Sequence, residues 1–225
     1  MCGRYTQLYT WDELCRLMQL TCPALELGKR YNVAPSQKAP VIRRLIDEDG
    51  PRADLLHWGL IPSWAKDRKI GYSLINARAE TISTKPAFRS AFKTKRCIVP
   101  ISGFYEWKKE DGGKTKTPYY IHSPNDAPLM LAGLWESWSG PHAEPLLSFS
   151  IITTTSNDLL SPIHERMPVL LGTKEITTWL DPKSTPEELT PLLKPASASS
   201  LSPYQVSTLV NSPKNDDPRC IEKVR

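Results

Sequence analysis

Four short segments set polar, reactive side chains among apolar neighbours. They are MCGRYT at 1–6, GYSLINARAETI at 71–82, VPISGFYEWKK at 99–109 and SPIHERMPVLL at 161–171. The first carries Cys2 directly behind Met1. Loss of Met1 would leave Cys2 with a free amine and a thiol on adjacent carbons. Reference pKa values of ~7.7–8.0 for the amine and ~8.5 for the thiol make both usable nucleophiles near neutrality. With an aldehyde the amine can form a Schiff base. The thiol can then add to the same carbon and close a five-membered thiazolidine. Only an N-terminal cysteine offers this geometry. Gly3 allows close backbone approach to a ligand. Taken alone, position 2 is better read as a small residue after a start codon, so the other segments must decide.

In the second segment Asn76, Arg78 and Glu80 alternate with alanines. Asn76 fits a helix cap and Glu80 its first-turn acid. It fits equally a group that positions the Cys2 amine, with Arg78 holding a phosphate. In the third, Glu106 stands among Phe104, Tyr105 and Trp107. A carboxylate between bulky rings is readily desolvated, which raises its pKa and suits acid/base work. Strand alternation puts Phe104 and Glu106 on one face and Tyr105 and Trp107 on the other, without deciding which face is wet. In the fourth, His164 precedes Arg166, downstream of the polar run TTTSN at 153–157. A lone histidine is more often a satisfied structural group than a catalyst.

The elements that must position these residues are mostly strands. A first helix is signalled by TWDELCRLMQL at 10–20, with Thr10 and Glu13 at capping-box spacing and Trp11, Leu14, Leu17 and Met18 on one face. PVIRRLI and ADLLHWGL flank DEDGPR as a hairpin. RCIVPISGFYEWKK reads as one strand, paired with TPYYIHS around EDGGKTK. PLMLAGLWESW and LLSFSIITTTS are further strands around SGPHAEP. Short helices follow at TKEITTWL and TPEELTPLL, then a small-residue linker ASASSLS and a charged tail with one strand-like piece. The expected fold is α+β: curved, mostly antiparallel sheets closing toward a barrel-like core, with helices outside. The 21 prolines argue for many irregular connections.

The 225 residues fit a single domain, 1–225, with a sizeable core. Net charge is +5, compatible with a polyanion but explained as well by surface lysine. The five cysteines show no CxxC pair and no His cluster, so no metal and no cofactor are expected. Cys15 and Cys97 sit in apolar settings and read as core. No secretory signal is expected, since no apolar run follows Arg4, and the longest apolar run, PLMLAGLW, is far short of the ~20 residues of a membrane helix. A reduced, intracellular compartment is expected, cytoplasm or nucleoid in a bacterium, with no membrane partner.

In order, MCGRY, YNVAPSQ at 31–37, WGLIPSWAKD at 58–67, NARAET at 76–81, RCIVPISGFYEW at 96–107 and HERMPV at 164–169 closely resemble the SOS response-associated peptidase family, the SRAP domain. The resemblance runs from Cys2 to about Leu171. It implies sensing of abasic sites in single-stranded DNA and covalent capture through the N-terminal cysteine. The open deoxyribose of an abasic site supplies the aldehyde that Cys2 lacks. By the same likeness Asn76 positions the Cys2 amine, Glu106 shuttles protons, and His164 assists beside the sugar, all in one cleft. The family also implies removal of Met1, by self-cleavage or otherwise.

Single strands are held by basic grooves and aromatic platforms. Arg4, Arg78 and Arg166 are the phosphate candidates, and Thr153 a hydroxyl donor to phosphate. Trp64 and Trp107 are candidates for stacking, with core packing the alternative. Asn32, Pro35 and Ser36 line the cleft by family likeness. The expected product is a thiazolidine crosslink that protects the damaged strand; a monomer and replication-fork partners are the expected company. Two rivals are a thiol peptidase with Cys2 as nucleophile and a non-covalent single-strand or modified-base binder.

Overall fold

The computed structural model describes residues 2–20, 27–45, 50–140 and 144–224. The strands begin with β1 (Tyr5–Gln7), β2 (Arg30–Val33), β3 (Lys38–Arg44) and β4 (Pro51–Trp58). There follow β5 (Asn76–Arg78), β6 (Arg96–Ile101), β7 (Gly103–Glu110) and β8 (Thr115–His122). The last four are β9 (Leu129–Trp138), β10 (Leu146–Thr155), β11 (Arg166–Pro168) and β12 (Ser202–Gln205). The α-helices are α1 (Trp11–Met18), α2 (Arg89–Thr94), α3 (Thr173–Leu180) and α4 (Pro186–Leu189).

Five strands close on themselves. β4 pairs with β3, β3 with β6, β6 with β9, β9 with β10, and β10 returns to β4. Only the β10–β4 seam of this barrel is parallel. Gly133 in β9 serves the closure: a Cβ there would come within 2.9 Å of Cys97 Sγ and 3.1 Å of Ser150 O. β5 and β11 attach to β10, and a second sheet runs β12-β8-β7-β1-β2. The fold is α+β and mostly sheet, as the sequence predicts.

β3, β6, β9 and β10 bury both faces over most of their length, which makes them read as near-continuous apolar runs, while β4 leaves Arg52 and Leu55 exposed. Val41, Val99 and Ile151 share a core with Cys2, Tyr5, Phe104 and Ile121. Ile42, Ile98 and Ile152 share another with helix residues Leu14, Phe92 and Trp179. The site therefore stands on the side of the barrel that faces the second sheet.

The capping box of α1 forms as read: Glu13 N–H donates to Thr10 Oγ1 at 3.2 Å and Thr10 N–H to Glu13 Oε2 at 2.7 Å. Trp11 and Leu14 are buried, but Leu17 is 53% exposed. The stretch RCIVPISGFYEWKK is two strands rather than one. It breaks at Ser102, whose N–H donates to Thr6 O and whose hydroxyl accepts from Leu8 N–H. β6 thus joins the barrel while β7 joins the second sheet. Among the described residues no helix is long and apolar enough to cross a membrane, and no group of three or more His, Cys, Asp and Glu could hold a metal ion.

Candidate active site

Cys2 is fully buried at the head of β1. Burial, and then the nearby Glu106 charge, push its thiol far above the usual range. Asn76 opens β5, which runs parallel to β10 with Asn76 beside Ile151. It is a strand residue, so the helix-cap reading fails. Its Nδ2 donates to Cys2 O and to Ile75 O, each at 3.0 Å. Its Oδ1 is buried with no hydrogen-bond partner. Such an oxygen can accept from a donor brought beside it.

β7 aims Glu106 inward, on the face shared with Phe104, while Tyr105 joins the outer cluster with Tyr120. Both faces of β7 are buried here, because Val206, Val210 and Cys220 cover the outer one. Burial pushes the Glu106 carboxyl up to about 7. Such a group exchanges its proton near neutrality.

His164 Nε2 lies 4.0 Å from Glu106 Oε2. Burial holds the imidazole pKa below its ordinary value, which favours the neutral ring. The structure thus brings Cys2, Asn76, Glu106 and His164 together.

Arg166 is buried. Its guanidinium grips Glu80 through two bonds, 2.6 and 3.0 Å, and donates to Thr153 O at 2.6 Å. Thr153 Oγ1 is 3.4 Å from the same nitrogen. Arg166 therefore ties Thr153 to Glu80, a residue that sequence reasoning left as a helix-start acid.

Arg4, Asn32 and Trp107 meet a segment that the sequence did not flag. Arg4 donates to Asn32 Oδ1 at 2.8 Å and to Val210 O at 2.9 Å. Asn32, fully buried, donates to the carbonyls of Val210, Ser212 and Asn215. Trp107 Nε1 donates to Asn211 Oδ1 at 2.7 Å. Residues 207–217 thus form a strap along the outer flank of β1, β2 and β7.

Arg78 remains exposed on a cavity of about 670 Å³ that also takes in Asn76, Ser73, Thr84 and Lys85. Trp64 is 59% exposed in the loop before β5. Pro35 and Ser36 form the β2–β3 turn. Ser36 is left-handed at φ 72° and donates to Trp58 O, while Trp58 Nε1 donates to Ile75 O beside Asn76.

The family model described as SOS response associated peptidase (SRAP) matches residues 1–213. The chain belongs to the SRAP family. The match reaches past the motifs, which stop near Leu171, and includes most of the strap. Abasic site processing protein YoqW of Bacillus subtilis is 47% identical over 225 residues, covering 99% of each chain. Abasic site processing protein HMCES of Gallus gallus is 34% identical, over 85% of this chain and 65% of that one. Among solved SRAP-like structures, a Bacteroides thetaiotaomicron protein superposes with a TM-score of 0.90 at 30% identity, covering all of both chains. A phage-related protein of Bordetella bronchiseptica gives 0.73 at 31% identity, over 91% of this chain and 94% of its own.

Proposed function

We propose that the protein processes abasic sites in single-stranded DNA by bonding to them through Cys2 once Met1 is gone. The Asn76 amide carries this reading. Its NH₂ is spent on two carbonyls while its buried Oδ1 can accept from a donor, next to the residue whose freed amine would supply one.

The chemistry balances with groups at hand. The Cys2 amine adds to C1′ of the open-chain sugar, and loss of water gives the Schiff base. The thiol then adds to the same carbon, its proton passes to the nitrogen, and the thiazolidine closes. Glu106, with a pKa of about 7, accepts and returns protons in these steps. His164 presents its ring beside the same carboxyl at 4.0 Å. The strand runs along the cavity of Arg78 and Lys85, with the Trp64 ring free for stacking. Such contacts are sequence-tolerant and salt-sensitive. Arg4, Asn32 and Trp107 contribute by shaping the walls, since the hydrogen bonds of their polar groups to the 207–217 strap already hold them, and Arg166 does so through its grip on Glu80 and Thr153. The relatives named for abasic site processing support the same substrate.

The test mixes purified protein with an oligonucleotide bearing one abasic site, beside Cys2→Ala and Cys2→Ser, with intact mass for Met1. A denaturation-resistant band, absent from both variants, is expected. A processed wild type that binds but never bonds would reject the covalent reading. Cleavage of unrelated peptides instead would favour the peptidase.

A further inference from the structure

We infer that a second recognition site, for an arginine side chain on a basic segment of a partner protein, lies on the opposite face of the second sheet. This inference is independent of the DNA reading. Cross-strand pairs fix the geometry. Phe104 faces Ile121, and both point toward the Cys2 side; Tyr105 faces Tyr120, and both point away. His122, two residues beyond Tyr120, shares that outer face.

A cavity of about 580 Å³ opens there between α1, β8 and β12. Its rings are held firmly. The Tyr120 hydroxyl bonds Thr6 Oγ1 at 2.9 Å, and its ring lies where a side chain on Gly103 would collide at 2.5 Å. His122 stacks on Tyr120 at 5.5 Å and 10°. Tyr204 stands edge-on to His122 at 5.4 Å, and its hydroxyl donates to Ile221 O at 2.8 Å.

Asp126 closes a turn in the left-handed conformation at φ 57°, which Asp tolerates better than most residues, and its carboxylate lies 2.9 Å from His122 Nδ1. Glu13 is the second carboxylate on the wall. The lining contains no Lys or Arg among the described residues, in a chain of 29. The half-exposed Leu17 stands at the rim, which gives this otherwise misplaced apolar residue a use.

The complementary ligand is a planar cation on an aliphatic stem. Aromatic faces attract a cation, and the apolar wall takes its methylenes. A guanidinium stacks on His or Tyr while forking to a carboxylate, which selects Arg over Lys. The two carboxylates repel nucleic acid, so the occupant of this face is a protein segment.

The experiment titrates acetyl-Gly-Arg-Leu-Gly amide into the full-length ¹⁵N-labelled protein, with Lys and Glu peptides beside it. Saturable amide shifts around residues 8, 102, 120–126 and 204 are expected, strongest for Arg and absent for Glu. The E13Q/D126N double variant should weaken binding by roughly tenfold; Gln at 13 retains the helix cap. Leu17→Lys, at an exposed position, should weaken it too and serves if the double variant misfolds. Abasic-site bonding by either variant should be unchanged. No saturable shift, an equal response to the Glu peptide, or indifference to both variants overturns the inference.

Discussion

The main-chain N–H of Arg166 donates to His164 Nδ1 at 3.0 Å, and that bond fixes the imidazole tautomer. Nδ1 accepts, so Nε2 carries the hydrogen and turns it toward Glu106, 4.0 Å off. A longer contact of Nδ1 with Arg166 O, 3.3 Å, would need a proton that the shorter bond excludes. The Arg166 main chain is held in turn by its guanidinium on Glu80 and Thr153. Under the proposed function Glu80 is a positioning residue for His164, two steps from the chemistry.

Glu80→Ala is expected to slow covalent capture by several-fold and to shift its pH profile, while affinity for intact single-stranded DNA holds. Stability should fall by about 1–2 kcal/mol, below the usual cost of orphaning a buried charge because Glu80 itself is half-exposed. Glu80→Asp should recover part of the rate. A normal pH profile in the alanine variant, measured by gel-quantified bonding, would leave Glu80 a purely structural partner.

Glu106 ties rate to stability. Its folded pKa of about 7 lies above the reference 4.5. The folded state therefore binds the extra proton between those values, and its stability falls as pH rises through the same window. The full penalty, on the order of 3 kcal/mol, is present above pH 7 and absent below 4.5. Glu106→Gln should thus be more stable than wild type at pH 8, with the gap closing toward pH 4.5, in urea unfolding at both values. The same change should lower the bonding rate by roughly 10²-fold and abolish an inflection near pH 7.

Much of this was legible because it is local. The Thr10–Glu13 box, the β3–β4 and β7–β8 hairpins and the shared face of Phe104 and Glu106 all follow from spacing, turns and alternation, whereas which face turns inward does not. Barrel closure was suggested only by strand number, since the β10–β4 seam joins segments some 90 residues apart (Ser148 beside His57). Asn76 read equally as a cap and as a group positioning Cys2, because a three-residue strand leaves no alternation to decide between them. The break at Ser102 depends on Thr6 and Leu8, which no local pattern announces. Nothing in VNSPKND signals that its carbonyls receive Arg4 and Asn32, so the strap contacts of these two residues could not be read from sequence.

Asn76 separates positioning from binding. Asn76→Asp keeps the shape but turns the donor toward Cys2 O and Ile75 O into a second acceptor, so two attractive contacts become repulsive. The variant should lose stability by about 1–3 kcal/mol. Asn76→Ala removes both contacts without repulsion. It should bond abasic DNA more slowly, by about ten- to a hundredfold, with reversible affinity little changed. Rapid-quench bonding assays beside anisotropy with an intact strand resolve the two. Equal losses in rate and affinity would assign Asn76 to holding DNA rather than Cys2.

The strap offers the last expectation. Arg4 bonds Asn32, Val210 O and, at 3.4 Å, Asn211 O, and its guanidinium lies 5.9 Å from the Trp107 ring centroid. Arg4→Ala removes all four contacts at once. Residues 207–217 should then open more often, since the free energy of local opening follows the bonds that close it. Lys214, in the middle of the strap, becomes the reporter: trypsin should cut after it faster in Arg4→Ala than in wild type. Asn32→Ala should act in the same direction, because Asn32 holds three carbonyls of the strap. If Arg4 served DNA alone, cutting at Lys214 would match wild type and only the salt slope of DNA binding would fall, by about one.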